Sequence, residues 1–232
     1  ALLYGSIFYG SVMQNWGVNH TFTLQHYITL FGQGWKNGAI PSLVQTVLFA
    51  VIAAPFTAMS GFLLAYFFSR HRFFGQKHIE FLTLLSFAVP GTVAGVSYIL
   101  AFNNVPIYLT GTGAIIVLSM VTRNMPIGLR AALVNFKQLD PALDEAAYSL
   151  KASTFQTLRF ITLPLLKPAL LSALVTSFVR AMTTISAIIF LVTPSTRVAT
   201  SFILNRVEDG DYGLAVAYGA SLIVIMMLVI GL

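Results

Sequence analysis

The 232 residues are 57% hydrophobic and only 9% charged, whereas soluble domains carry about a quarter charged residues; this excludes a soluble globular protein and defines an integral membrane protein. Cysteine is absent, which excludes disulfides and thiolate metal sites. The formal charge of +6 would hint at nucleic acid in a soluble chain. In a membrane protein its placement matters more, and the lipid bilayer, with no nucleic acid, is the expected surrounding.

Apolar runs fall near 1–14, 38–69, 79–102, 113–136, 169–193 and 214–232. A helix needs ~20 apolar residues to cross ~30 Å of hydrocarbon. The first run is short and lacks an initiator Met, and the last stops at Gly231-Leu232. The expectation is an all-α, polytopic transmembrane helix bundle, 1–232 forming one membrane domain. It has about five core helices and a partial N-terminal helix, and is cut at both ends from a longer chain.

Residues 15–37 read as an outer loop. Within it Leu24, Tyr27, Ile28 and Phe31 recur at helical spacing behind Thr23, a candidate N-cap. The segment is either a short helix in the interface plane or a covering loop. Pro55 and Pro90 lie inside apolar runs and bend their helices, which membranes tolerate where neighbours satisfy the freed carbonyl. Gly91 and Gly95 form a small-xxx-small pair suited to close packing. Gly-Thr-Gly at 111–113 closes a tight outer turn over 103–112.

Orientation follows from basic residues in short loops. With the 70–78 and 137–168 loops inside, that side carries Arg70, Arg72, Lys77, Arg130, Lys137, Lys151, Arg159 and Lys167. The other side carries Lys36, Arg197 and Arg206, offset by Glu208, Asp209 and Asp211. Residues 140–168 are therefore expected in the cytosol.

That loop starts a helix at Asp140-Pro141, a capping acid followed by proline at the first helical position. Asp144 and Glu145 complement the helix dipole near its start. Leu143, Ala146, Ala147 and Leu150 share one face. Ser153 and Gln156 form a capping-box pattern for a second helix. This helix is expected to turn Phe155, Leu158 and Ile161 inward and to end before Pro164. Two short helices joined by a turn make a compact knob.

Two basic residues lie inside expected spans. Arg180 sits about a dozen residues into the fifth, near mid-membrane by helix rise. Thr176, Ser177, Thr183 and Thr184 flank it at helical spacing. An ionisable group at that depth faces an interior or a wet cavity. The stripe either lines a path or makes interhelical hydrogen bonds. Arg123 and Asn124, near Pro126, are similar candidates, though Arg123 can also snorkel or cap. His20, His26, His71 and His78 all fall in loops or at span edges, and no GxxxxGK[ST] phosphate loop occurs. The expectation is no catalytic residue, no metal site, no cofactor and no ATP site of its own. An ATP-independent channel or an intramembrane enzyme is the distant alternative.

Glu145-Ala146-Ala147, followed by Ile161, Leu163 and Pro164 in register, resembles the ATPase-coupling loop of ABC-transporter permeases. The stretches LSFAVPGTVAGVSYILAFN (85–103), RNMPIGLRA (123–131) and ISAIIFLVTPSTRVATSFILNRVEDGDYGLAVAYG (185–219) are similar to ferric-iron permeases of binding-protein-dependent importers, most of all to the second half of the duplicated forms. The resemblance implies a multi-pass subunit of the bacterial inner membrane. Its implied partners are a cytosolic ABC ATPase dimer, a periplasmic substrate-binding protein and a second permease half, fused or homologous. It implies Fe(III) as cargo, with an oxyanion, phosphonate, thiamine or polyamine as the alternative. It assigns Glu145, Ala146, Ala147, Lys151, Ala152, Ile161, Leu163 and Pro164 to coupling. Related loops place glycine where this chain has Lys151. The turn is therefore expected to avoid positive φ, or the first helix to run longer.

Overall fold

The computed structural model describes residues 2–32, 34–36, 38–70, 74–140 and 142–231, with the backbone alone at Phe87 and Lys137. Pro141, His71, Arg72 and Leu232, which entered the expectations above, lie outside the described residues. The fold is all-α apart from two small hairpins. α3 (Ala39–Arg70) and α12 (Tyr212–Gly231) are each long and apolar enough to cross a membrane. Two bent helix pairs also meet that test when each is taken as one span. α6 (Gly113–Gln138) has the length, but Arg123, Asn124 and Arg130 dilute its apolar character.

Two expected spans are interrupted. The 79–102 run divides into α4 (Gln76–Ala88) and α5 (Gly91–Phe102). The break falls at Val89, whose backbone is extended at ψ 122°, the conformation that a following proline imposes. The fifth run yields α10 (Lys167–Thr183), which stops ten residues early, and a short 3₁₀ turn at Ile188–Phe190 follows. Just past the end of α10 the Thr184 carbonyl accepts the Thr200 hydroxyl at 3.2 Å. The outer segment after it is helical as well, as α11 (Ala199–Glu208).

The chain forms two compact units. The first combines residues 1–50, 91–117 and 182–232. In it α1 (Leu2–Ser11) leads to β1 (Met13–Asn15), which pairs antiparallel with β2 (Asn19–Phe22). α2 (Gln25–Phe31) follows, one residue later than expected; the Thr23 hydroxyl accepts the Gln25 amide at 3.1 Å. Tyr218 of α12 is the centre of this unit. Its fully buried hydroxyl donates to the Ala39 carbonyl and meets the Ser42 hydroxyl, each at 2.8 Å. Phe31 and Phe202 lie against its ring. Gly91 and Gly95 pack as expected: a Cβ on either would strike Ser186 or Ala187. The 103–112 turn is the hairpin of β3 (Asn103–Asn104) and β4 (Ile107–Tyr108).

The second unit combines residues 51–90 and 118–181. Its core joins Phe62, Ala65, Tyr66 and Phe68 of α3 to Leu129 and Phe136 of α6 and to Leu166. The two helices touch through glycine: a Cβ on Gly61 would lie 2.7 Å from the Leu129 amide nitrogen, whereas one on Gly128 would come no nearer than 3.4 Å to any neighbour. Backbone cannot yield as a flexible side chain can. Gly61→Ala is therefore expected to cost about 1–3 kcal/mol by overpacking, and Gly128→Ala less than about 1 kcal/mol. Thermal unfolding of the detergent-solubilised protein checks this; equal melting points for the two variants would count against packing through Gly61.

Candidate functional site

The knob lies wholly within the second unit. The Asp140 carboxylate accepts the Ala142 amide at 2.9 Å and so starts α7 (Ala142–Ser149). Asp144, in the first turn, reaches Arg70 at the end of α3: Nε and Oδ2 are 2.7 Å apart, with side chains only 14% and 16% exposed. The approach is not aligned with the N–H bond, so charge rather than a hydrogen bond holds the pair. Ala147 is buried beneath α7. Glu145, Ala146, Tyr148 and Leu150 are exposed.

Lys151 makes the turn, and neither expectation for it holds. Its φ is +57°, in the left-handed region that costs an L-residue roughly 1–2 kcal/mol. The surrounding bonds explain why the conformation persists. The Lys151 amide donates to the Tyr148 carbonyl at 2.9 Å, and the Ala152 amide donates to the Ala147 carbonyl at 3.0 Å. These are the paired bonds of a Schellman motif, which satisfy carbonyls at a helix end. Ala152 is half-buried.

The second helix begins as expected. Gln156 N–H donates to the Ser153 hydroxyl, and Ser153 N–H donates to the Gln156 side chain, completing the capping box of α8 (Thr154–Thr157). Two details differ from expectation. Phe155 is exposed rather than turned inward, while Leu158 and Ile161 are half-buried. The helix also continues through Pro164, because a π-helical turn at Leu158–Thr162 precedes α9 (Leu163–Leu165). In an α register the proline ring would crowd the carbonyl four residues back. Here the Leu163 amide reaches back five residues, to Leu158, and the wider turn admits the ring. The chain then bends by 73° into α10. Leu166, at the bend, is buried against Tyr66 and Phe136, with Leu158 and Leu163 packed alongside.

The other candidates lie on α6 and α10. A cavity of about 190 Å³ separates these helices, lined by Asn135 and Gly128 on one side and by Ser172, Ala173, Thr176 and Ser177 on the other. Thr176 is thus a wall residue, and the nearly buried Ser177 stands beside it. Arg180, one turn beyond, is exposed, as is Thr183. Arg123 and Asn124 are not among the walls. Arg123 donates to the Val89 carbonyl at 3.4 Å, capping the end of α4, and Asn124 is buried with its amide nitrogen unpaired. Among the described residues no group of three or more His, Cys, Asp or Glu is placed to hold a metal ion. Sequence reasoning missed the Arg70–Asp144 contact, which joins residues far apart in the chain, and the Asn135 and Ser172 walls, which carry no motif.

Residues 36–232 match the family described as binding-protein-dependent transport system inner membrane component. The chain belongs to that family. It is 66% identical to the ferric transport system permease protein FbpB of Actinobacillus pleuropneumoniae over 228 residues, 98% of this chain and 33% of that protein. The chain thus spans about a third of that relative's length. It is 32% identical to a probable sulfate transport system permease protein cysT of Prototheca wickerhamii, over 80% of this chain and 78% of that one. A crystal structure of a bacterial ABC transporter that imports the acidic polysaccharide alginate shares the fold, with a TM-score of 0.76 at 18% identity, covering 98% of this chain and 85% of that chain.

Two stability effects are expected of the knob, both measurable by thermal unfolding. Lys151→Gly removes the left-handed penalty but also a cation at a helix C-terminus, worth about 0.3–1 kcal/mol; the net is a gain of roughly 0.5–1 kcal/mol. Arg70→Ala leaves Asp144 largely buried without its partner and is expected to cost about 1–3 kcal/mol. A Lys151→Gly variant that melts well below wild type would contradict the reading of the turn.

Proposed function

We propose that this chain is a multi-pass inner-membrane permease subunit of an ABC importer and that residues 140–166 dock into a cytosolic ATPase dimer. The observation that carries the reading is the attachment of the knob. An ion pair ties α7 to α3, and a buried aromatic cluster ties the second helix to α3 and α6. A knob held at two points moves its helices when it is moved. Its outer surface carries Glu145, Ala146 and Leu150, exposed and available to a partner. The subunit performs transport rather than a covalent reaction. Nucleotide-driven closure of the ATPases tilts the helices and opens the path alternately to each side. A second permease half completes that path, and a periplasmic binding protein delivers the cargo.

The proposed cargo is Fe(III), on the strength of the 66% identity to a ferric permease. Fe(III) favours carboxylate and phenolate oxygens, and the cavity walls offer only hydroxyl and amide oxygens. Such a path gives passage without tight capture, with affinity residing in the delivering protein. A second reading, an oxyanion cargo, is favoured by the exposed Arg180 one turn from the cavity and by the sulfate relative. Uptake of labelled iron and labelled sulfate into proteoliposomes holding the complete transporter separates the two.

Glu145→Lys is expected to lower ATP-dependent uptake at least tenfold and to leave membrane insertion unchanged. The side chain is exposed, and its folding role is limited to the modest helix-dipole interaction of a first-turn acid. Uptake at the wild-type rate in that variant would remove the docking reading.

A further inference from the structure

A strained lysine at the tip of an exposed turn calls for a reason. Glycine would hold φ +57° without penalty. The cation at the end of α7 recovers only part of the cost, as set out above. Among the described residues Lys151 takes part in none of the ion pairs seen, which join Arg70 to Asp144 and Arg206 to Asp209 and Asp211. Lys151 is exposed. It stands next to Leu150, which is 84% exposed, and near Phe155, which is 66% exposed. Two large uncovered apolar side chains, with a charged residue between them in the sequence, have the make-up of an apolar contact patch with a polar rim. Strained backbone persists where surrounding structure over-determines it, and such positions cluster at functional contacts.

We infer that Lys151 is a specificity-determining contact for the cytosolic ATPase: the Schellman turn presents its ammonium to a carboxylate at the rim of an apolar cleft that receives Leu150 and Phe155. The inference rests on the docking reading of the knob and adds to it the charge of the partner's rim. A rim charge of this kind sets association rate and partner choice more than total affinity, and its effect fades with salt. Glu145, six residues earlier on α7, supplies the opposite sign. The knob therefore presents an acid near one end of the helix and a base at the other, and a reversed insertion would oppose like charges.

The test is binding of the transporter's purified ATPase to nanodiscs holding the complete membrane assembly, at low and high salt. Lys151→Gly is expected to raise Kd about tenfold at ~0.1 M salt, with the difference shrinking toward twofold at ~0.5 M. Lys151→Glu is expected to weaken binding further, and Lys151→Arg to stay near wild type. The melting point of Lys151→Gly is expected to match or exceed wild type, which separates lost contact from lost fold. Wild-type binding by Lys151→Gly, alongside clear loss by Glu145→Lys, overturns the role of Lys151 and leaves docking intact. A loss insensitive to salt, or Lys151→Arg as weak as glycine, also overturns it. Unchanged binding in both Lys151→Gly and Glu145→Lys removes the docking reading itself.

Discussion

Arg70 and Asp144, 2.7 Å apart and mostly out of solvent, fasten α7 to the end of α3, a helix long enough to span the membrane. The buried Ala147 is the other point at which α7 packs. The pair is expensive to desolvate and is therefore weak evidence of high stability. Its value lies in geometry. The contact holds the first turn of α7 against the end of α3, and the buried Ala147 sets the face of α7 that turns inward, leaving Glu145 and Leu150 exposed.

The second attachment is apolar. Leu158, Leu163 and Leu166 pack against Phe62, Tyr66 and Phe136, so the return arm of the knob lies in the same core that joins α3 to α6. The π turn and the 73° bend serve that packing. A regular α-helix through Pro164 would clash with the carbonyl four residues back. A helix ending before Pro164 would leave Leu166 outside the register that brings it to Tyr66. One extra residue in the turn meets both demands, and α10 then departs from a buried residue rather than from a loose link. Displacing the knob must therefore displace the start of α10, and the walls at Ser172 and Thr176 lie within its next few turns.

Local chemistry was legible in the sequence, and contacts between distant residues were not. Asp140, Ser153 and Gln156 satisfy orphan amides within three residues of themselves, so their roles follow from spacing alone. Pro90 breaks its run where it stands because the constraint on Val89 is purely local. Lys151 was misjudged because residue preference was weighed without the two backbone bonds that hold the turn. Phe155 was assigned inward by helical periodicity, which identifies a face but not what covers it. On an element that projects from a membrane domain, an apolar face is as readily a partner's surface as a core. The early end of α10 had no sequence signal, since the apolar run continues past Thr183; the Thr200 hydroxyl that donates to the Thr184 carbonyl comes from another helix.

On the proposed reading, the cavity between α6 and α10 lies on the path and bears on how much selectivity this chain can exert over its cargo. Asn135, Ser172, Thr176 and Ser177 offer neutral groups that both donate and accept, and such groups interact with a hydrated cation through oxygen and with an oxyanion through hydrogen. Neutral donors gain about 1 kcal/mol per hydrogen bond after exchange with water, too little to retain a small ion for long. A site of that strength suits transit, because an ion bound tightly in mid-path would have to be expelled at each cycle. On the proposed reading, discrimination is then made before the cargo enters, and Arg180, exposed one turn from the cavity, adds a positive bias within this chain. A guanidinium there raises the cost of a bare trivalent cation and lowers that of one whose charge is already neutralised by bound anions. An iron importer built on this helix is therefore expected to pass the metal in a ligated form rather than as the naked ion.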